Sequence, residues 1–216
     1  MNLSPRRSAK SAARAHYRRA RAQLPAATRA AASRDIVRHL SELLRTRRPR
    51  RIAAYAPLPE EPGYDTLLDA LLATPAPLLL PIVGDAGTLT WAPISSRAQL
   101  RADNPMGIAE PATPAATHMT TPAMLDTTDL VITPALALTP DGYRLGQGGG
   151  FYDRVLAASA TCPAPPLFVA LAFSHEISAD LPIEDHDRAV AMIITPQGPR
   201  HTHGEPTPPG GGPTMV

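Results

Sequence analysis

The feature that most constrains the fold of this chain is a continuously apolar run, DLVITPALAL at residues 129–138, which leads into a glycine-rich stretch. That stretch, RLGQGGGFYDR at residues 144–154, has four glycines within five positions. A strand that is apolar on both faces must be covered on both faces, as the central strands of parallel sheets are. Shorter apolar runs alternate with helical patterns along the chain. The sequence therefore predicts an α/β fold with helices on both faces of a mostly parallel sheet.

The predicted elements make up a single three-layer domain, which is what a chain of 216 residues permits. Helical spacing of apolar residues predicts a helix over 4–46 that is broken at Pro25, and another around Leu67–Leu72. A further helix is expected to start near Gly149 or Gly150. Strands are predicted at 51–58, 78–83, 89–94, 129–138, 167–173 and 191–195.

Two segments have no such pattern. Residues 95–127 are rich in proline and are predicted to be irregular. Residues 197–216 have no periodic apolar residues and are rich in Pro and Gly, which is typical of a disordered tail. We therefore expect the domain to span residues 1–196 and the tail to span 197–216.

Cysteine usage and hydropathy bear on the cellular location. The single cysteine, Cys162, cannot form a disulfide within the chain, which is typical of a reducing compartment. The N-terminal segment is basic and lacks the apolar run of a secretory signal. No apolar stretch approaches the roughly 20 residues of a membrane span. We expect a cytoplasmic protein with no membrane partner.

Charge is distributed unevenly along the chain. The net charge is only +2, but residues 1–51 hold 15 Lys and Arg against two acids, a net of +13, so the remainder carries −11. A basic segment of this size attracts polyanions such as nucleic acid or nucleotide phosphates. The alternative is a solvated, arginine-rich helical face. Lys10 is the only lysine among the 21 basic residues, which suggests a site that needs a compact ammonium group.

The glycine-rich stretch follows a predicted buried strand and precedes a predicted helix. This order suits a phosphate group, because N–H groups at a helix N-terminus point at the anion and glycine allows close approach. The stretch matches neither GxxxxGK[ST] nor GxGxxG, since Phe151 stands where the third glycine of the latter belongs. A flexible linker is the alternative. Arg144 could pair with phosphate, Tyr152 could stack or hydrogen-bond, and Asp153 offers oxygen ligands to Mg²⁺, a set typical of a magnesium–nucleotide site.

GYRLGQGGGFYDR resembles the GYRLGYGGGYYDR segment of the 5-formyltetrahydrofolate cyclo-ligases, also called methenyltetrahydrofolate synthetases. KSAAR at 10–14 is similar to the KxxLR of that family. Further blocks of the chain resemble the family in the same order, and together the resemblance spans about residues 8–196. These blocks are EPGYDTLLDAL, LLLPIV, NPMGIAEP, DLVITPALAL and LAFSHEISADLPIEDHD.

The resemblance implies a fold like that of NagB, RpiA and the CoA-transferases, and a ligase of one-carbon metabolism that needs ATP and Mg²⁺. In this family the formyl oxygen of 5-formyltetrahydrofolate attacks the γ-phosphate of ATP. Closure of the ring by N10 then yields 5,10-methenyltetrahydrofolate, ADP and phosphate. The implied partners are 5-formyltetrahydrofolate and ATP, with no nucleic acid, and the implied assembly is a monomer or weak homodimer.

The resemblance also implies roles for particular residues. Lys10 and Arg144 would be catalytic, and Asp153 and Asp187 would hold Mg²⁺. The ATP site would comprise Lys10, Arg14, Arg144, Leu145, Gly146, Gln147, Gly148, Gly149, Gly150, Phe151 and Tyr152. The folate site would comprise Ala56, Glu61, Gln147, Gly148, Gly149, Gly150 and Phe151. An alternative for Asp187 is a helix cap or a structural ion pair.

Two other functions remain open, the first of them because of departures from the family pattern. Gln147 replaces the usual Tyr, His or Arg, Gly149 replaces a lysine that some relatives carry, and Gly63-Tyr64 replaces an Asp-Thr pair. A family member that is inactive on folate and uses ATP on another substrate is therefore one alternative. A nucleic-acid-binding protein that uses the basic segment 1–51 is the other.

Overall fold

The computed structural model describes residues 5–84, 87–104, 107–184 and 187–202. Five α-helices are present in this part of the chain: α1 Pro5–Gln23, α2 Ala26–Arg47, α3 Leu67–Leu72, α4 Thr121–Thr127 and α5 Phe151–Ser159. The strands are β1 Ile52–Ala53, β2 Leu78–Val83, β3 Leu89–Ile94, β4 Leu100–Arg101, β5 Glu110–Pro111, β6 Met119–Thr120, β7 Leu130–Thr133, β8 Ala137–Leu138, β9 Arg144–Leu145, β10 Leu167–Leu171, β11 Met192–Thr195 and β12 Gly198–His201. No helix of the described residues is long and apolar enough to cross a membrane.

The central sheet has eight strands in the order β12-β11-β10-β7-β1-β2-β3-β6. Its five middle strands, from β11 to β2, run parallel. The outer strands β12 and β3 pair antiparallel with their inner neighbours. Strand β7 is buried along its whole length. The predicted α/β fold with a mostly parallel sheet is confirmed.

The connections of the sheet reverse direction at its centre. From β1 the chain passes through α3 to β2 on one side, whereas from β7 it passes through α5 to β10 on the other side. Because such crossovers are right-handed, the opposite directions place α3 and α5 on opposite faces of the sheet. The reversal lies between the neighbours β1 and β7. Ligands of open α/β sheets bind beyond the carboxyl ends of the strands at such a point.

The N-terminal helices follow the predicted pattern, including the break between them. Pro25 stands between α1 and α2 with φ −56°, where its missing N–H costs no helical hydrogen bond. The apolar side of α2 is buried, and this helix packs on β11, β12 and α3. The buried residues of that side are Ile36, Val37, Leu40 and Leu44.

Three predicted elements require correction. The run 129–138 is not one strand, because Pro134 has no N–H for the ladder and the chain turns there before β8 pairs with β9. The run 51–58 contributes only β1 to the ladder, after which one more bond joins the Ala54 N–H to the Leu79 carbonyl. The irregular segment 95–127 contains α4, whose first turn is capped by the Thr120 hydroxyl accepting from the Ala123 N–H.

The expected start of the tail at residue 197 is also wrong, because 198–201 form β12. This strand pairs antiparallel with β11 from Met192 opposite His201 to Thr195 opposite Gly198. It is an edge strand held by backbone groups, so it needs no alternating apolar pattern and tolerates Pro199. The rest of the predicted tail, 203–216, lies outside the described residues.

Removal of β12 tests this boundary. A chain that ends at residue 196 should lose about 2 kcal/mol or more of unfolding free energy, since several backbone hydrogen bonds of about 0.5–1.5 kcal/mol each disappear. The Thr202 hydroxyl bond to the Val190 carbonyl disappears with them. Urea unfolding would measure the difference against a chain that ends at residue 202. Equal stability of the two chains would contradict a structural role for β12.

Candidate active site

A cleft of about 270 Å³ opens beyond the carboxyl ends of β1 and β7, where the sheet connections reverse. The segment after β1 contributes Tyr55, Ala56 and Glu61, and the segment after β7 contributes Pro134 and Ala135. The cleft therefore occupies the position that the topology favours for a ligand. Its opposite wall is mainly apolar and comes from Pro81, Val83, Leu89, Ile108 and Glu110.

The glycine-rich loop, residues 146–150, closes one end of this cleft. The β8–β9 hairpin leads into it, and α5 begins at Phe151 directly after it. Gly148 and Gly150 have φ of +112° and +67°, which other residues rarely adopt, and Gly150 is the N-cap of α5. Arg14 Nε donates to the Gly146 carbonyl at 2.9 Å, and Arg154 donates to the Gly149 carbonyl at 3.0 Å. A loop held in this way does not behave as a free linker.

Four cations of helix α1 contact the glycine-rich loop or the segments around the cleft: Lys10, Arg14, Arg18 and Arg21. Their spacing of four, four and three residues puts them on one side of the helix. Arg18 donates from Nε to Gln147 Oε1 at 2.9 Å and from a terminal nitrogen to the Gln147 carbonyl at 3.0 Å. Part of the basic segment 1–51 is thus used within the molecule.

Lys10 lies between two carboxylates that come from a segment distant in sequence. Its Nζ is 2.7 Å from Glu184 Oε2 and 2.8 Å from Asp187 Oδ2. Burial lowers the pKa of Lys10, but the hydrogen bonds to Asp187 and Glu184 outweigh that effect and raise it overall. The compact ammonium fits between two carboxyl groups where a planar guanidinium would have a different geometry.

Arg144 is buried at the inner end of the glycine-rich loop. It pairs with Asp153 through a terminal nitrogen, and its guanidinium carbon is 5.8 Å from the centre of the Tyr152 ring. Burial lowers the pKa of Arg144, and the charges of Asp153 and Asp187 oppose that effect. Among the described residues, Arg144 Nε and the Tyr152 hydroxyl are buried without a hydrogen-bond partner. Both atoms could therefore bind a ligand in the cleft.

The two predicted metal ligands each contact a cation of the site. Asp153 pairs with Arg144, and Asp187 pairs with Lys10. The charges of both carboxylates raise the pKa of Arg144. Within the described residues no group of three or more His, Cys, Asp or Glu side chains could hold a metal ion.

Glu61 is a buried carboxylate in the wall of the cleft. Its Oε2 accepts a hydrogen bond from the Leu58 N–H at 3.0 Å, and its Oε1 is 3.9 Å from an Arg21 nitrogen. Burial raises the pKa of Glu61, whereas the Leu58 N–H, Arg21 and a hydrogen bond with Gln147 act in the opposite direction without cancelling the rise. An acceptor of this kind suits a ligand that carries N–H donors.

The predicted site residues occupy three kinds of position. Most line the cleft: Ala56, Glu61, Arg144, Gly146, Gln147, Gly149, Gly150, Phe151, Tyr152 and Asp153. Lys10, Arg14 and Asp187 lie in the ion pairs and hydrogen bonds beside it. Leu145 belongs to a small apolar cluster with Tyr17 and Leu136, and a side chain at Gly148 would contact Arg14.

Several residues of the site were missed by sequence reasoning. Tyr55 was assigned only to a strand, and Pro81, Val83 and Leu89 were assigned only to a hairpin. Their position in a wall of the cleft depends on how β2 and β3 extend past β1. Glu110, whose Oε1 accepts from the Val83 N–H at 3.0 Å, lies in the NPMGIAEP block that the sequence does single out. Arg21 could have been found from its spacing along α1 relative to Lys10.

A model of the 5-formyltetrahydrofolate cyclo-ligase family matches residues 6–196 of the chain. The chain belongs to this family. It is similar to the cyclo-ligase of Mycolicibacterium smegmatis, with 35% identity over 68% of this chain and 74% of that protein. It is also similar to the cyclo-ligase of Haemophilus influenzae, with 28% identity over 84% of this chain and 94% of that protein.

A solved structure supports the same family assignment. The Aquifex aeolicus 5,10-methenyltetrahydrofolate synthetase superimposes with a TM-score of 0.73 at 26% identity, over 92% of this chain and 95% of that one. The resemblance inferred from the glycine-rich stretch and its companion blocks is thus confirmed at the level of family and fold.

The Glu61→Gln substitution of this cyclo-ligase tests whether the buried carboxylate is kept at a cost in stability. Because the folded-state pKa of Glu61 is raised, the folded protein holds its proton to a higher pH than the unfolded chain does. The wild type should lose stability as the pH rises through that folded-state pKa, and the Gln variant should not. Urea unfolding should show the variant to be the more stable at pH 8, with the difference vanishing below about pH 4, near the unfolded-state pKa. A variant less stable at pH 8 would contradict this.

Proposed function

We propose that this chain catalyses the ATP- and Mg²⁺-dependent conversion of 5-formyltetrahydrofolate to 5,10-methenyltetrahydrofolate, with release of ADP and phosphate. The observation that carries the proposal is one cleft whose lining offers two kinds of chemistry. A buried acceptor, Glu61, lines it together with several apolar residues, and the glycine-rich loop lines it together with the buried Arg144. A folate ring and a triphosphate need these two environments side by side.

The part of the cleft beside the glycine-rich loop suits the phosphates of ATP. The N–H groups at the start of α5 and the helix dipole favour an anion beside residues 146–150. Arg144 and Lys10 would neutralise the charge that develops on the transferred phosphoryl group, and Arg14 would bind the phosphate chain. The unpartnered Arg144 Nε supports this assignment, because a ligand atom there would satisfy a buried donor.

Asp153 and Asp187 fit a Mg²⁺ ion that arrives with the nucleotide. Two carboxylates are the usual protein contribution to such an ion, since phosphate oxygens and water supply its other ligands. Both carboxylates already lie beside the cations that would bind phosphate. When bound, the ion would draw negative charge from the phosphoryl oxygens.

The part of the cleft that contains Glu61 and the apolar residues suits the pterin ring of the folate. Glu61 would accept hydrogen bonds from pterin N–H groups, and the ring would lie against Ala56, Val83 and Leu89. Gln147, which departs from the family pattern, hydrogen-bonds Arg18 and lines the same cleft. The glutamine at position 147 is thus accommodated in the site. Gln147 would contact both substrates, as would Gly148, Gly149, Gly150 and Phe151.

The reaction requires the protein to align the two substrates, and it does not require a protein nucleophile. The formyl oxygen attacks the γ-phosphorus and the bond to ADP breaks, so that the formyl carbon becomes an electrophilic, phosphorylated iminium. N10 adds to that carbon and releases its proton, and phosphate then leaves with the former formyl oxygen as the methenyl bridge forms. Holding both substrates in one cleft makes the first step effectively unimolecular. Arg144 and Lys10 stabilise charge on the oxygens that change bonding.

The Asp153→Asn variant tests the proposal directly. Wild-type protein mixed with 5-formyltetrahydrofolate, Mg²⁺ and ATP should produce the near-ultraviolet absorbance of the methenyl product, and omission of ATP should abolish it. Asp153→Asn should lower kcat/KM about 100-fold or more, since it removes a metal ligand and the partner of Arg144.

The matched control is Asp141→Asn, an exposed aspartate in the turn before β9, which should keep wild-type activity. Binding of Mg·ATP by the wild type without any methenyl product would contradict the proposal. That outcome would favour a family member that uses ATP on another substrate.

A further inference from the structure

Arg21 is a buried cation beside the cleft residue Glu61, and none of the roles above uses it. Only 2% of the residue is exposed. Its Nε lies 2.7 Å from Glu176 Oε1, a second nitrogen donates to the Ala135 carbonyl at 2.9 Å, and the third is 3.9 Å from Glu61 Oε1. One guanidinium thus connects α1 with the segments that follow β1, β7 and β10.

Glu176 holds this guanidinium in place. It is fully buried, and its Oε2 accepts a hydrogen bond from the Phe173 N–H at 2.9 Å while Oε1 accepts from Arg21. Both oxygens of Glu176 are therefore used, and neither Arg21 nor Glu176 can move without leaving a buried charge unpaired. The side of the guanidinium that faces Glu61 has a fixed position.

A second contact joins α1 to the glycine-rich loop near the same carboxylate. Arg18 donates to Gln147 from both its Nε and a terminal nitrogen, and Gln147 lines the cleft together with Glu61. Arg18 and Arg21 lie one turn apart on the helix that also carries Lys10 and Arg14. The helix that offers cations to the phosphates thus also holds the carboxylate assigned to the folate.

We propose that Arg21 is a positioning residue that holds the Glu61 carboxylate towards the cleft for hydrogen bonding to N–H donors of the folate ring, with Glu176 as its anchor. The proposal rests on the folate role of Glu61 stated above. It predicts that loss of Arg21 weakens the use of folate far more than the use of ATP, although both substrates bind beside α1.

The charge state of Glu61 provides a distinctive measurement. The groups that face it are Arg21 from α1, Glu176 after β10, Gln147 from the glycine-rich loop and Tyr55 after β1. Tyr152 from α5 also interacts with it electrostatically. Of these groups only Arg21 carries positive charge. Without Arg21 the Glu61 carboxyl should keep its proton to a higher pH and lose acceptor capacity in the neutral range.

The decisive variant is the double substitution Arg21→Gln with Glu176→Gln. It removes both members of the buried ion pair, so no buried charge is left without its partner. Because Arg21 lowers the pKa of Glu61 more than Glu176 raises it, the KM for 5-formyltetrahydrofolate at pH 7 should rise several-fold, while kcat and the KM for ATP change less than about twofold. The rise in KM should be larger at pH 6 than at pH 8.5.

Three further variants complete the experiment. Arg19→Gln, on the exposed side of the same helix, should match the wild type. Arg21→Lys keeps the charge but loses the planar fork, so the KM for folate should rise while its pH dependence stays that of the wild type. This variant also tests the proposal if the double variant does not fold. In a Glu61→Gln background the double substitution should raise the KM for folate less than about twofold further.

Each outcome decides for or against the role of Arg21. Equal, pH-independent rises in both KM values would indicate a merely structural residue and overturn the proposal. So would an effect that is fully additive with Glu61→Gln. If the wild type turns over folate and Glu61→Gln raises KM but the Arg21 variants do not, only the Arg21 proposal fails. If the wild type neither binds nor turns over 5-formyltetrahydrofolate, the proposed function fails with it.

Discussion

The burial of charged side chains from α1 is the constraint on which the rest of this site depends. Arg21 is almost wholly removed from solvent, and Lys10 is partly buried. A charge in such a place must have an opposite charge and hydrogen-bond partners, because its desolvation is otherwise too costly. Glu176 and Asp187 provide these partners from segments more than 150 residues away in sequence. The position of α1 is thus determined by specific polar contacts as well as by apolar packing.

The same contacts suit the proposed binding of an anionic chain and a polar ring in one cleft. The cations of the glycine-rich end pair with aspartates: Arg144 with Asp153, and Lys10 with Asp187. Phosphate oxygens could replace the aspartates as partners of these cations, and the aspartates would then be available to a metal ion. The site therefore keeps its charges close to where they would be needed, which lowers the cost of reorganisation when substrate binds. Glu61 differs from these aspartates, since its partners are the Leu58 N–H and Arg21 and it lines the cleft together with several apolar residues.

Local sequence patterns predicted the parts of the fold that depend on residues adjacent in sequence. The break at Pro25 follows from a missing N–H, and the start of α5 follows from glycines that can adopt positive φ at Gly148 and Gly150. The helix α4 could have been found from its Thr-Thr-Pro start, because a threonine cap followed by proline is a local signal. Strand β12 could not have been found in this way. It exists only because β11 offers an unpaired edge.

The sequence by itself determined that a buried strand leads through a glycine-rich loop into a helix, that Lys10 is unlike every other cation of the chain, and that several blocks resemble one family. These are statements about residue type and spacing, which local chemistry controls. The tertiary structure alone decided that Pro81, Val83 and Leu89 form a wall of the cleft and that Arg21 reaches both Glu176 and Glu61. Such contacts join segments far apart in sequence, and the reversal of connections between β1 and β7 brings those segments to one edge of the sheet.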